Sequence, residues 1–138
     1  MPLNGFPKMT KQHTVTYKPY DVVVVPFPFT DRQAHKRRPA LILSDEMHFN
    51  KPTGHAVLAM ITSQKNPDWP LDTTITSIRR TGLTAPSKVR MKLFTLDSRL
   101  IVKKIGTLTN RDKTAVGKAL QRLLGSGFEP PIPGASSE

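Results

Sequence analysis

The chain has 138 residues, with 21 Lys and Arg against 10 Asp and Glu, a formal charge of +11. That length allows one domain with its own core but not two independent ones, and the absence of cysteine excludes a disulfide framework, a thiol nucleophile and a cysteine-bearing zinc site. A charge excess of this size favours a nucleic-acid partner, although basic surfaces also serve membranes and acidic proteins.

Residues 1–17 carry Asn4, Lys8, Lys11, Gln12 and His13 where a secretory signal would need a continuous apolar stretch, and they read as a loose arm. The longest apolar run, from Val22 to Phe29, is broken by Pro26 and Pro28 and is too short to cross a bilayer, so a soluble, cytoplasmic protein without membrane contact is expected. Strand, basic loop, strand is the reading of the next stretch. Val22 to Val25 and Ala40 to Leu43 are short β-branched or apolar runs, and Arg32, His35, Lys36, Arg37 and Arg38 lie between them. So many cations in one connection repel each other unless a polyanion lies across them, and phosphate is the obvious one.

Further strands are predicted at Ala56 to Thr62, Thr73 to Ile78, Lys88 to Phe94 and Leu100 to Leu108, with a short helical turn around Glu46 to Asn50. Turn formers separate them: Lys51-Pro-Thr-Gly54, Asn66-Pro-Asp-Trp-Pro70, Thr81-Gly-Leu-Thr-Ala-Pro86 and Asp97-Ser98. A meander of this size limits its exposed edges by curling into a barrel. Thr109 is placed to cap a final helix with Asp112 three residues on, Val116, Ala119, Leu120, Leu123 and Leu124 recur at helical spacing, and Gly125 ends it. The fold class is mainly β, a barrel with a C-terminal helix over residues 18–127, followed by a Pro-rich, disordered tail over 128–138.

The chemistry is narrowed by what is missing. His13, His35, His48 and His55 fall at no metal-ligand spacing, and there is no Walker loop, Gly-x-Gly-x-x-Gly or Gly-x-Ser-x-Gly. No metal and no cofactor is expected. What remains is a set of cations and hydroxyls near strand ends: Arg38, Thr62, Ser63, Gln64, Arg90 and Lys92, with His35 in the loop. Such a set suits phosphodiester chemistry on RNA, whose own 2'-hydroxyl can attack once deprotonated, while arginine forks meet two phosphate oxygens at once.

Four segments, Asp21-Val-Val-Val-Val-Pro-Phe-Pro-Phe-Thr30, Arg37-Arg-Pro-Ala-Leu-Ile-Leu-Ser44, Ala59-Met-Ile-Thr-Ser63 and Val89-Arg-Met-Lys-Leu-Phe-Thr-Leu-Asp97, together resemble the MazF/PemK (Kid) family of toxin–antitoxin endoribonucleases from Tyr20 to Leu124. The resemblance implies an SH3-like barrel of the CcdB/PemK/MazF type, a homodimer, a cognate acidic antitoxin, and metal-independent, sequence-selective cleavage of single-stranded RNA to a 2',3'-cyclic phosphate and a 5'-hydroxyl. The arginine before the proline of the second strand falls on Arg38, the implied grip on the scissile phosphate, and the strand-end threonine falls on Thr62.

Arg90 matches the arginine of the later strand, but Lys92 stands where PemK-like members carry an acid. A charged lysine donates a proton and cannot accept one, so the base is sought in His35 or Asp31. Arg38, Thr62, Arg90 and His35 are the catalytic candidates; Lys36, Arg37, Ser63, Gln64, Lys92 and Trp69 are the candidate RNA contacts. Trp69, the only tryptophan, is either a stacking platform for a base or a plug at a core or dimer edge. Two other functions stay open: a noncatalytic nucleic-acid-binding barrel, and a CcdB-like toxin that acts on a protein such as gyrase.

Overall fold

The computed structural model describes residues 15–27 and 36–128. Its centre is a six-stranded antiparallel sheet built from β1 (Asp21–Phe27), β2 (Lys36–Ile42), β3 (His55–Ser63), β4 (Thr73–Thr74), β5 (Ser87–Asp97) and β6 (Lys103–Thr107). The strand order is β4-β5-β3-β2-β1-β6, and the sheet curls into a half-barrel with β4 and β6 as its edges. A wide helical turn, Glu46–Asn50, runs into the short helix α1 (Lys51–Thr53), and the long helix α2 (Asn110–Leu124) ends the domain.

Both faces of the sheet are covered. Val22, Leu41, Ala59, Ile61 and Val89 meet Val116 of α2 on one face, while Val23, Val25, Ala40, Ile42, Ala56 and Leu58 pack with Leu96 and Ile101 on the other. Side chains alternate across a pleated strand, which is why neighbours such as Val22 and Val23 enter different clusters. The uninterrupted apolar runs in the sequence thus reflect strands buried on both sides. Pro26 and Pro39 are tolerated because each lies where its strand has one neighbour: β6 reaches β1 only at Asp21 to Val24, and β3 reaches β2 only at Ala40 to Ile42.

Several boundaries differ from the sequence expectation. Lys36, Arg37 and Arg38 are not loop residues: they open β2, paired with Phe27, Pro26 and Val25 in a two-stranded ribbon that runs beyond the third strand. The strand expected over Thr73 to Ile78 shortens to Thr73–Thr74, and the strand expected from Leu100 begins at Lys103 because Ser98–Leu100 forms a tight turn capped by Asp97. The Ile75 N–H still reaches the Ser87 carbonyl of β5 at 3.0 Å, and from Thr76 the chain turns to the helix instead of a neighbouring strand. The buried Asp112 carboxylate accepts from the Thr76 N–H at 3.0 Å and the Thr76 hydroxyl at 2.7 Å. Thr109 caps α2 as expected, its hydroxyl accepting the Asp112 N–H at 3.3 Å. The expected turn at Glu46 forms under a cap from Asp45. His13, Asp31, Arg32, His35 and the tail from Glu129 lie outside the described residues.

Candidate functional site

The most consequential irregularity is in β5. Ala59 pairs with Leu93 and Met60 with Arg90, so Met91 and Lys92 bulge out of the ladder together. A bulge redirects side chains, and here Met91 packs against the helix-side core while Lys92 turns to the opposite rim. Arg90 and Lys92 then join Phe27, Arg38, Met60, Ile61, Thr62 and Trp69 around an open cleft of about 220 Å³. That is less than the usual enclosed small-molecule pocket, and fits a portion of a polymer such as one nucleotide unit.

The cleft's position follows from the register. Arg38, Ala40 and Ile42 share one face of β2, and Met60 is the direct partner of Ala40, so the cleft is the polar end of the second core cluster. Apolar packing stops at Met60, and the next side chains on that face are Thr62 and Arg38. The Arg38 guanidinium lies 5.1 Å from the centroid of the Phe27 ring, exposed, with no carboxylate partner among the described residues. Stacking on the ring limits its conformers and leaves its N–H edges to an incoming anion. The Thr62 hydroxyl accepts a hydrogen bond from the Asn66 side-chain amide, so its own O–H is left to donate.

Arg90 is differently employed. Its Nε and Nη2 donate to the two Asp72 oxygens at 3.2 and 2.8 Å, Nη2 also donates to the Pro67 carbonyl at 2.7 Å, and the guanidinium covers the Trp69 ring at 4.6 Å. Burial opposes ionisation of Asp72, but the Arg90 fork, the Trp69 backbone N–H and nearby Lys88 outweigh it and hold the carboxyl below the usual carboxylate range. Arg90, in turn, is held more firmly charged by its hydrogen bond to Asp72. Lys88, 1% exposed, donates to the Asn66 carbonyl at 2.5 Å and to Asp68 at 2.7 Å, and its Nζ lies 3.6 Å from Asp72. Neither Lys88 nor Asp72 was singled out from the sequence. Their signal was the i, i+2 spacing of Lys88 and Arg90 on one strand face, opposite a loop carrying Asp68 and Asp72.

Arg38, Thr62, Trp69, Arg90 and Lys92 are thus brought together; of the other candidates, those among the described residues are not, and His35 lies outside them. Arg37, one residue out of phase, borders a separate groove with Val24, Pro39, Gly82, Leu83, Thr84 and Ile105, and Arg38 stands on the ridge between the two. Lys36 is exposed on the ribbon. Ser63 and Gln64 are exposed past the cleft rim, where the Ser63 hydroxyl accepts the Lys65 N–H and the Gln64 N–H goes to Pro86. His48 and His55 lie elsewhere, on Asp45 and on the Thr53 carbonyl. Among the described residues no acid or histidine lines the cleft, and no three His, Cys, Asp or Glu side chains converge to hold a metal ion. Residues 28–35, which carry Asp31 and His35 and connect β1 to β2, lie outside the described residues.

Among the described residues no helix is long and apolar enough to cross a membrane. No curated protein sequence matches the chain at a significant level. Solved structures do resemble it. MazF in the MazE-MazF complex (Form-II) of Deinococcus radiodurans aligns with a TM-score of 0.63 and 21% identity, over 80% of this chain and 97% of that one. An endoribonuclease from a Mycobacterial species, in complex with its cognate antitoxin, gives 0.64 and 18% identity over 83% and 99%. The Mycobacterium tuberculosis toxin MazF-mt6 gives 0.54 and 21% over 76% and 94%. At these identities the likeness is one of fold, but a family pattern also covers residues 18–124. The chain therefore belongs to the family of PemK-like, MazF-like toxins of type II toxin–antitoxin systems.

Proposed function

We propose that this toxin is a metal-independent, sequence-selective endoribonuclease acting on single-stranded RNA. The observation that carries the reading is the convergence of Arg38, which has no carboxylate partner among the described residues, with the donor Thr62, the exposed cation Lys92 and the aromatic Trp69 in a cleft sized for one nucleotide. Arg38 grips the non-bridging oxygens of the scissile phosphate and Thr62 donates to the same group. A base takes the 2'-hydroxyl proton, the 2'-oxygen bonds to phosphorus, the bond to the 5'-oxygen breaks, and that oxygen is protonated as it leaves. The products are a 2',3'-cyclic phosphate and a 5'-hydroxyl.

His35 or Asp31 supplies the base, both belonging to the stretch of chain that joins Phe27 to Lys36; His35→Ala removes the neutral limb of the pH–rate profile if His35 has that role. Lys92 is suited to charge stabilisation, or to protonating the leaving oxygen. Arg90 has spent its fork on Asp72, so its part is to shape the cleft wall and add positive potential. Lys36, Arg37, Ser63 and Gln64 extend the contact surface along the flanking strand. A homodimer and an acidic antitoxin that covers the basic cleft complete the reading, the latter supported by the antitoxin in the complexes that this fold resembles.

Incubation of the purified protein with a long single-stranded RNA in EDTA, followed by mapping of the ends, tests the proposal. Cuts bearing 5'-hydroxyls are expected, and a deoxyribose at the break point abolishes them. One observation favours a second reading, a noncatalytic RNA-binding barrel: the absence of an acid or base from the described cleft lining. Salt-sensitive RNA binding without cuts would establish it.

A further inference from the structure

Lys88 and Arg90 leave β5 two residues apart on one face, and the polar groups they grip all belong to the loop from Asn66 to Asp72. Lys88 takes the Asn66 carbonyl and Asp68, Arg90 takes the Pro67 carbonyl, and both cations meet at Asp72. Asp72, its side chain 6% exposed, also receives the Trp69 N–H at 2.9 Å and returns its own N–H to the Trp69 carbonyl at 3.2 Å. This closes a turn with Pro70 second and Leu71 third, and Leu71 has φ of 70°, a left-handed conformation that a leucine adopts only when held. The outcome is a tryptophan under a guanidinium at 4.6 Å that is still 45% exposed at the cleft.

None of these bonds reaches the phosphate site. Asp72 does not line the cleft, and its oxygens are already shared among the Arg90 fork, the Trp69 N–H and Lys88. We propose that Asp72 is a positioning residue: by fixing Arg90 against Trp69 it holds the indole as a preformed stacking wall for the base beside the scissile phosphate. An aromatic ring fixed in advance costs little ordering on binding, so the stacking free energy appears as affinity. The proposal rests on the reading of the cleft as a single-stranded RNA site. It adds the residue that prepares that site and separates binding of the base from cleavage of the phosphodiester.

Because Trp69 is the sole tryptophan, its emission reports this wall directly. In the full-length protein, a mixed-sequence oligodeoxynucleotide, which has no 2'-hydroxyl, should quench Trp69 saturably, and an abasic strand with the same phosphates should not. Asp72→Asn should shift the emission to the red and weaken oligonucleotide binding about tenfold, a loss at the lower end of one base–aromatic stack. On RNA it should raise KM about tenfold and change kcat less than about twofold, because the lost contact serves binding. Unchanged emission and affinity in Asp72→Asn would overturn the proposal. So would equal quenching by the abasic strand, or a fall in kcat with KM intact.

If circular dichroism shows Asp72→Asn unfolded, Trp69→Leu takes its place. Loss of the preference for base-bearing over abasic strands then supports the stacking wall, and a retained preference refutes it. If no form of the protein cuts RNA, the endonuclease reading falls, while the Trp69 titrations still decide whether Asp72 prepares a base-binding surface.

Discussion

Replacing Lys88 tests how much of the loop's stability comes from one buried ammonium. The group is 1% exposed, and its partners differ: Asp68 is 82% exposed, Asp72 is 6% exposed, and the third is the Asn66 carbonyl. Removal of one member of a buried pair ordinarily costs about 3–5 kcal/mol, because a charge is left buried and alone. Here Asp68 can rehydrate, which limits its share to about 1 kcal/mol, and Asp72 keeps the Arg90 fork. Lys88→Met, which preserves the stem, should therefore cost about 2 kcal/mol. Lys88→Ala also removes three buried methylenes at about 0.8 kcal/mol each, for a total of about 4 kcal/mol. Urea denaturation followed by circular dichroism measures both, and thermal midpoints should fall by about 4 °C per kcal/mol. A methionine variant as stable as the parent would show that desolvation of the ammonium cancels its bonds. Equal losses in the two variants would show that the stem contributes nothing.

Arg38→Ala should lower kcat on RNA by about 10²–10³-fold, the scale for losing one donor to a developing anion, while the thermal midpoint barely moves because the side chain is exposed. Equal losses in kcat and RNA affinity would make it a docking contact instead. Gly106→Ala should destabilise by roughly 3 kcal/mol, since its Cβ would stand 2.3 Å from the Arg80 carbonyl oxygen, where β6 passes under the turn Arg79–Thr81. A melting curve like the parent's would mean that this turn yields freely. Asp97 is held down to about 2, first by the Arg99 side-chain hydrogen bond and then by the Arg99 backbone N–H, with burial opposing. Its folded value lies below the unfolded one of about 3.9, so its contribution is complete above pH 4 and is lost as the pH falls toward 2. Asp97→Asn should flatten that part of the stability–pH curve, and an unchanged slope would exclude the assignment.

Much of the fold was legible because period and punctuation are local properties. Strands at Val22, Ala40 and Ala56, the Thr109 cap, the Gly125 stop and the turn at Glu46 all follow from side-chain alternation, helical spacing and capping chemistry. Two of the errors show why the rest was not legible. Thr73 to Ile78 looks like a strand, yet past Ile75 the backbone N–H and the hydroxyl of Thr76 are taken by Asp112 of α2, a residue 36 places on in sequence. Lys36 to Arg38 looks like a loop because charge obscures strand character in a ribbon with solvent on its faces.

At the site, residue types by themselves selected Arg38, Thr62, Ser63, Gln64, Arg90 and Lys92 near strand ends, with His35 in a loop, as groups fit for a phosphodiester, and left Trp69 as either a base platform or a plug; the order of motifs marked the family. Which of them meet was decided in three dimensions. The two-residue bulge in β5 turns Lys92 to the cleft, the half-turn between neighbours in β2 parts Arg37 from Arg38, and Asp72 claims the Arg90 fork. Alternation and capping act over a few residues and are written in the chain. The pairing of charges across a folded sheet depends on register and burial, which exist only once distant segments have packed.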